Sequence, residues 1–376
     1  MEVNILNIPK LRFKEFTDEW QIKKLDKNTY IKARVGWKNL KASEYVSSGI
    51  PMIAGQHIKQ GKILWDKVDF ITNERYDESP EIQLKNNDII FSKDGSLGNP
   101  AIIKNMPKKA TINGTMMLIR LNYINDNVSP NYFYQICNSQ YFKKMVSLIK
   151  SGGTVPHIFQ RDIINFTFPI PKTLEEQEKI ANFLSIVDKK VENLKNTITS
   201  LENQKKGLLQ QIFSQKLRFK DKNGNNYPNW EKKKLEDIAI FLDNKRKPLE
   251  QSERIHGKYP YYGASGIIDY VNNYIATGKY WVNNHAHVLK TKSQYLNKFL
   301  CEALERLNYN KYNTGTAQPK LNQDVCRKII LSIPCLEEQT KIADFLSAFD
   351  RKLENKKAQL EHWQQIKKGL LQQMFV

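Results

Sequence analysis

Apolar side chains recur in alternating steps of three and four through residues 174–213, at Ile180, Leu184, Val187, Val191, Leu194, Ile198, Leu201, Leu208 and Ile212. Such spacing is the heptad seam of a long helix that lies against another helix. No proline interrupts the stretch. Thr173 followed by Glu176 reads as a capping box, and Glu175 and Glu176 suit the positive end of the helix dipole. At 1.5 Å per residue this helix is about 60 Å long, too long to lie buried in one compact domain, so it predicts a spacer.

The pattern then returns. Displaced by 162 residues without a gap, residues 336–375 are identical to 174–213 at 23 of 40 positions, sharing LEEQ, KIA, FLS and a closing KKGLLQQ before a Phe. The second seam runs through Ile342, Leu346, Phe349, Leu353, Leu360, Trp363, Leu370 and Met374, with Lys356 and the equivalent Lys205 and Lys367 as polar breaks. Each helix has an apolar stripe that needs a partner, and the other helix is the nearest candidate. A lead-in is repeated as well. Lys10-Leu11-Arg12-Phe13-Lys14 with Trp20 and Leu25 returns as Lys216-Leu217-Arg218-Phe219-Lys220 with Trp230 and Leu235. The second lead-in directly follows the first helix, so the N-terminal one is expected beside the end of the second helix. The chain then closes on itself about a pseudo-twofold axis, with antiparallel helices.

Between lead-in and helix lie two lobes of short β-type runs broken by Gly, Pro, Asn and Asp. In the first, strands are expected at 50–53, 63–71, 88–91, 101–104, 115–121 and 165–170, with a helix at 131–149. In the second, strands are expected at 259–262, 267–271, 280–289 and 329–333, with a helix at 293–307. The fold class is therefore α+β: two globular domains joined by two long antiparallel coiled-coil helices. The segments are 1–172 for the first lobe, 173–215 for the first spacer, 216–334 for the second lobe and 335–376 for the second spacer. Pro51 and Asn113 have apparent counterparts in Pro260 and Asn283, which stand much closer together. The second lobe thus lacks an equivalent of residues 81–103, including the Ser92-Lys93-Asp94-Gly95-Ser96-Leu97-Gly98 loop.

Charge narrows the function. In 376 residues, 59 Lys and Arg stand against 39 Asp and Glu, a formal charge of +20. Such an excess repels itself and suits a polyanion, nucleic acid first. Cys137, Cys301, Cys326 and Cys335 show no CxxC spacing and read as buried thiols in a reducing compartment. The N-terminal residues carry no signal-peptide pattern and no apolar run is long enough to span a bilayer, so a soluble cytoplasmic protein is expected.

Catalytic motifs are missing: GxxxxGK[ST], GxGxxG, HExxH and GxSxG are all absent. His285 and His287, two apart on an expected strand, would share a face as metal ligands do, yet no third ligand stands nearby. Asp88 and Asp94 with Lys93 form a faint nuclease-like acid cluster in a turn context. DNA calls for cations against phosphates and planar amides against base edges. The candidates in the first lobe are Gln56, His57, Lys59, Lys93, Ser96, Lys108, Lys109, Asn113, Thr154, His157 and Arg161. In the second they are Lys245, Arg246, Lys247, Tyr261, Tyr262, Ser265, Asn283, Asn284, His285, Thr316, Gln318 and Lys320. Gly207 and Gly369 take the same place in the two helices. A mid-helix glycine costs about 1 kcal/mol, so each marks a close crossing or a docking partner, with Leu208, Leu209, Leu370 and Leu371 as apolar contacts.

Two basic lobes, each followed by a helix opening on LEEQ and KIA-x-FLS and closing on KKGLLQQ-x-F, resemble the specificity subunit of type I restriction-modification enzymes. The resemblance covers essentially the whole chain, including the LRF lead-ins and the TGTAQPKLNQ exit of the second lobe. It implies that each lobe is a target recognition domain reading half of a split, asymmetric DNA sequence, and that the paired helices fix the gap. It also implies a subunit without chemistry or cofactor of its own. Its partners would be double-stranded DNA, two methyltransferase subunits using S-adenosylmethionine, and two ATP- and Mg-dependent restriction subunits. The shortened second lobe departs from the family pattern. Two other readings are a coiled-coil tether whose charge is incidental, and a self-sufficient modification enzyme, for which no cofactor site is found.

Overall fold

The computed structural model describes residues 8–25, 29–33, 40–121, 127–151, 156–264, 266–273, 280–315 and 320–375. The chain forms two compact units, residues 1–195 with 359–376 and residues 196–358. Each unit therefore takes one part of each long helix.

Unit 1 contains β1 (Gln21–Lys24), β2 (Tyr30–Ala33), β3 (Ile50–Ile53), β4 (Ile58–Lys59), β5 (Lys62–Ile63), β6 (Asp69–Ile71), α1 (Asn73–Asp77), β7 (Ile89–Ser92), β8 (Gly98–Ile102), β9 (Thr111–Ile112) and β10 (Met116–Arg120). There follow α2 (Pro130–Asn138), α3 (Gln140–Ser151), α4 (Gln160–Ile164), β11 (Thr167–Ile170) and the start of α5 (Leu174–Phe213). The main sheet runs β2-β10-β7-β8, and β3 lies between antiparallel β6 and parallel β9. These two sheets enclose a core that includes Ile53, Ile58, Ile90, Ile103, Ile112 and Leu118. A second core joins α2 and α3 to the long helices through Tyr132, Phe133, Phe142, Ile180, Leu184, Leu371, Met374 and Phe375.

Unit 2 contains β12 (Glu231–Lys234), α6 (Leu235–Ile238), β13 (Ala239–Phe241), β14 (His256–Gly263), β15 (Gly266–Val271), β16 (Trp281–Val282) and β17 (Leu289–Thr291). It continues with α7 (Asn297–Glu305), α8 (Gln323–Arg327), β18 (Ile330–Ile333) and the start of α9 (Leu336–Gln373). Strand β14 lies between antiparallel β15 and parallel β16, as β3 does between β6 and β9. The registers match: Pro51 faces Phe70 and Pro260 faces Tyr270, while Ile53 faces Ile112 and Tyr262 faces Val282. The Asn113 N–H donates to the Ile53 carbonyl and the Asn283 N–H to that of Tyr262, so the sequence pairing of Pro51 with Pro260 and Asn113 with Asn283 is a structural one. Strand β13 pairs with β17 as β2 does with β10, but the β7–β8 hairpin has no described counterpart.

The LEEQ motif closes each lobe onto its helix. Arg12 grips the Glu176 carboxylate with Nε at 2.7 Å and Nη2 at 2.9 Å, and Trp20 Nε1 donates to it at 3.0 Å. Arg218 (2.7 and 3.2 Å) and Trp230 (3.0 Å) do the same to Glu338. Both carboxylates are buried. Thr173 Oγ1 accepts the Glu176 N–H at 3.3 Å, but the Glu176 side chain is committed to Arg12 and Trp20, so only half of the expected capping box forms. The neighbouring amide works alike in both units. Gln177 accepts from the Ser129 N–H and donates to the Pro171 carbonyl, and Gln339 accepts from the Leu296 N–H and donates to the Pro334 carbonyl.

The helix segments meet inside each unit. In unit 1 Asp188 pairs with Lys367 at 2.5 Å and Lys190 lies over the Trp363 ring. In unit 2 Lys205 pairs with Asp350 at 2.7 Å and Lys357 with Glu202 at 2.8 Å. The N-terminal lead-in sits where the repeat requires: the Leu11 N–H donates to the Gln373 carbonyl at 2.9 Å, as the Leu217 N–H does to Gln211 at 3.1 Å.

Several element boundaries differ from the pattern reading. The strand expected over 63–71 is interrupted, because Leu64 donates back to His57 and Lys67 to Leu64, a turn that separates β5 from β6. The helix expected over 131–149 breaks at Ser139, whose hydroxyl donates to the Ile136 carbonyl at 2.7 Å and competes with the helix ladder. The strand expected over 280–289 is β16, a turn and β17, because the Asn283 side chain accepts the His285 N–H at 2.8 Å and folds the chain back. The helix expected over 293–307 shrinks to Asn297–Glu305. All four cysteines are free, but Cys301 is exposed, not buried.

Candidate nucleic-acid interface

In unit 1 the 93–97 loop between β7 and β8 is clamped from both sides. The Lys93 N–H donates to the Thr115 carbonyl and the Ile158 N–H to the Lys93 carbonyl, each at 2.9 Å. This brings Lys93, Ser96 and His157 together, with Asn113 two residues from Thr115, which it caps through its side-chain oxygen. Asp94 accepts from His157 and meets Lys93 at 3.2 Å; Lys93 is buried at 8% exposure, so it is an ion-pair partner inside the loop and not an open phosphate contact. Beside them the exposed Phe159 ring lies 4.4 Å from the His157 ring and 4.7 Å from the Arg161 guanidinium. An exposed aromatic flanked by an imidazole and a guanidinium plane is a stacking platform of the kind nucleobases use. The pattern reading passed over Phe159, although an aromatic two residues from His157 and from Arg161 was its available signal.

Gln56 stands on the turn before β4, whose Gly55 and Ile58 carbonyls accept from Asn99 of β8. Its neighbour His57 is buried at 3% exposure, with Nδ1 accepting the Ala54 N–H at 3.0 Å. Burial lowers its pKa, so His57 is a neutral structural group and not a phosphate contact. Lys59 and Lys108 are exposed. Lys109 lies apart, over the Tyr76 ring and beside Asn73. Asp88 receives Arg120 in two-pronged fashion and caps Lys85, so it is a buried ion-pair partner and no nuclease acid.

In unit 2 the organising group is Asp243, which accepts from His287 Nδ1 at 2.6 Å, Gln323 at 3.0 Å and the Val288 N–H at 2.9 Å. Arg246 donates to the Asp243, Asn284 and Ala286 carbonyls and so holds the 283–288 turn. That leaves its guanidinium structural. Tyr261 is buried with its hydroxyl accepting the Leu249 N–H, and Asn283 is buried in its turn, so neither reads bases. Lys245, Lys247, Asn284, His285 and Lys320 are exposed, and Tyr262 packs edge-on to Tyr280. Thr154, Ser265, Thr316 and Gln318 lie outside the described residues. Since His285 and His287 stand in a turn and His287 is engaged on both nitrogens, they make no metal pair, and no cluster of three ligating side chains occurs among the described residues.

The Cys326 side chain, the Leu321 carbonyl and the Asp243 carboxylate favour the His287 imidazolium and raise its pKa to about 9, against the opposing effect of burial. The stability it lends is fully present below the ordinary value of 6.5 and is lost as pH rises through about 9. The denaturation midpoint of unit 2 is therefore expected to fall across that window in the native chain. His287→Gln flattens the fall, and an unchanged slope in that variant refutes the assignment.

Among the described residues, a methyl group added at Gly207 or Gly369 would meet nothing within 4 Å, so no close crossing with them is the reason for either glycine. Leu208, Leu209 and Leu370 are half-buried, the last two against the hydrophobic cores. Leu371 is buried in the unit 1 core and is not available to a partner.

A family model described as the type I restriction modification DNA specificity domain matches residues 18–203 and 270–362. The chain belongs to this family. It is similar to a putative type I restriction enzyme specificity subunit of Haemophilus influenzae, 34% identical over 139 residues, 31% of this chain and 36% of that one. It is also similar to the type I restriction enzyme MjaVIII specificity subunit of Methanocaldococcus jannaschii, 25% identical over 213 residues, 56% of this chain and 49% of that one. In these matches the chain spans about a third to a half of the relatives' own length. Among solved structures, the S subunit of a type I restriction-modification system from M. genitalium shares the fold, with a TM-score of 0.65 and 19% identity over 98% of this chain and 99% of that one. This member of the family carries the Arg–Glu–Trp clasp once in each unit. Among its described residues no helix is long and apolar enough to cross a membrane.

Proposed function

We propose that the chain is the DNA-reading specificity subunit of a type I restriction-modification enzyme, in which each lobe reads one half of a bipartite, asymmetric target. The observation that carries this is one lobe plan used twice with different loops. The clasp of Arg12, Trp20 and Glu176 recurs as Arg218, Trp230 and Glu338, and β3 between β6 and β9 recurs as β14 between β15 and β16. The candidate contacts, by contrast, are unlike in the two units. A shared scaffold plan with unlike loops suits two different half-sites. In the first lobe Ser96, His157, Phe159 and Arg161 are the contacts, and in the second Lys245, Lys247, His285 and Lys320.

In this reading the two long helices pair antiparallel as a coiled coil and set the distance between the half-sites. Support comes from the heptad seams and from the contacts inside each unit, where Asp188 meets Lys367 and Asp350 meets Lys205. The subunit recruits two methyltransferase subunits, which bring S-adenosylmethionine, and two restriction subunits, which bring ATP and Mg; the open helix surfaces at Gly207 and Gly369 are the docking places. It performs no chemistry itself and acts in the cytoplasm. Footprinting on random-sequence DNA is expected to show two protected patches separated by a gap of indifferent sequence. Absence of any protected patch would leave a coiled-coil tether as the better account.

A further inference from the structure

Unit 1 carries a run of one-sign charge that the reading loops do not use. From residue 127 to residue 161 the sequence contains no Asp or Glu. Within that run Lys143, Ser147 and Lys150 are spaced by four and three on α3, which places them on one helix face. This face lines a cleft of about 390 Å³ whose other walls include Gly98, Asn99 and Pro100 of β8 and Asn138 at the end of α2. The cleft adjoins the 93–97 loop through Leu97. Partial burial, then the charges of Lys367 and Lys368, lowers the Lys143 ammonium's pKa, so the end of α9 brings further positive charge to the same place. Lys143, Lys150 and Lys368 have no ion-pair partner among the described residues, while Lys367 meets Asp188.

In unit 2 the counterpart of Lys367 meets one carboxylate more. Lys205, which stands where Lys367 stands in the repeat, is held by Glu302 at 3.0 Å and Asp350 at 2.7 Å, and Lys298 joins the same carboxylates. In unit 1 the residue six positions after the Gln177-bound Ser129 is Gln135; in unit 2 the residue six positions after the Gln339-bound Leu296 is Glu302. One of the two carboxylates that hold the lysines in unit 2, Glu302, is thus a neutral amide in unit 1, and Gln135 Oε1 is buried without a hydrogen-bond partner among the described residues. Two ammonium groups on the wall of a cleft, one of them repelled by the nearby charges of Lys367 and Lys368, suit an anion.

We infer that this face of unit 1 grips the phosphate backbone of duplex DNA next to the 93–97 loop, through Lys143, Lys150 and Lys368. The inference deepens the DNA-reading proposal and rests on it. An acidic protein fits less well, because lysine is depleted from protein–protein interfaces whereas phosphate contact is among its ordinary uses.

The test uses the full chain and a long random-sequence duplex, with affinity measured over a range of salt. In the triple variant Lys143→Gln, Lys150→Gln, Lys368→Gln, the slope of log affinity against log salt is expected to become shallower by about 2 to 3, since each phosphate contact contributes about 0.9. The loss falls equally on all sequences, and the corresponding triple arginine variant restores it. If the triple glutamine variant unfolds, Lys368→Gln alone is read, with an expected change of about 1. A native chain that binds DNA with an unaltered slope in the variants overturns this inference alone. A native chain without salt-dependent DNA binding overturns the parent reading. Loss of a protein partner with the DNA slope intact overturns this inference in favour of an acidic protein and leaves the parent reading standing.

Discussion

Glu176→Ala is expected to destabilise unit 1 by about 3 to 5 kcal/mol, the ordinary cost of removing one member of a buried ion pair and stranding the other. Three donors converge on this carboxylate: two from Arg12, at 2.7 and 2.9 Å, and the Trp20 indole at 3.0 Å. Trp20 is 3% exposed, so its N–H has no water to turn to when the acceptor goes. Glu176→Gln keeps an oxygen for the indole but not the charge for Arg12, and an intermediate loss is expected. Glu338→Ala is expected to do the same to unit 2, where Arg218 and Trp230 converge. Thermal denaturation reads both, and at this size each kcal/mol shifts Tm by roughly 2 to 4 °C. A loss below about 1 kcal/mol in the alanine variants would mean that the clasp is decorative.

Removing one heptad from the middle of each long helix is expected to change what the complex recognises without changing how it reads. Seven helical residues span about 10 Å, which is about three base pairs at 3.4 Å each. Under the proposed ruler, the two half-sites stay as they are and the gap between them shortens by about that amount. The methylated motif in cells carrying the variant gives the answer directly. A motif with the old gap would refute the ruler, however well the variant folds, because the distance would then be fixed by something other than the helices.

The long helices were legible before any coordinates because their signal is redundant. A seam at Ile180, Leu184, Val187 and Val191, a repeated LEEQ and the lack of proline all point the same way, and α5 begins and ends on the expected residues. The lobes were legible as a duplicated plan, down to the pairing of Pro51 with Pro260 and Asn113 with Asn283. Strand ends were not. Ser139, Asn283 and the turn around Leu64 each redirect the backbone through a single hydrogen bond that no periodicity records.

The sequence by itself determined the family, the doubled architecture and the positive charge, since each is written over many positions and survives local error. Only the tertiary structure decided what individual side chains do. His57, Arg246, Tyr261 and Asn283 are polar residues beside glycines or turns, as a DNA contact would be, yet each is taken up by a backbone group a few or many residues away. Phe159, which looks like core, stands exposed beside His157 and Arg161. Burial and hydrogen-bond partners depend on which distant segments fold together, and a pattern read along the chain carries no information about a contact made across it.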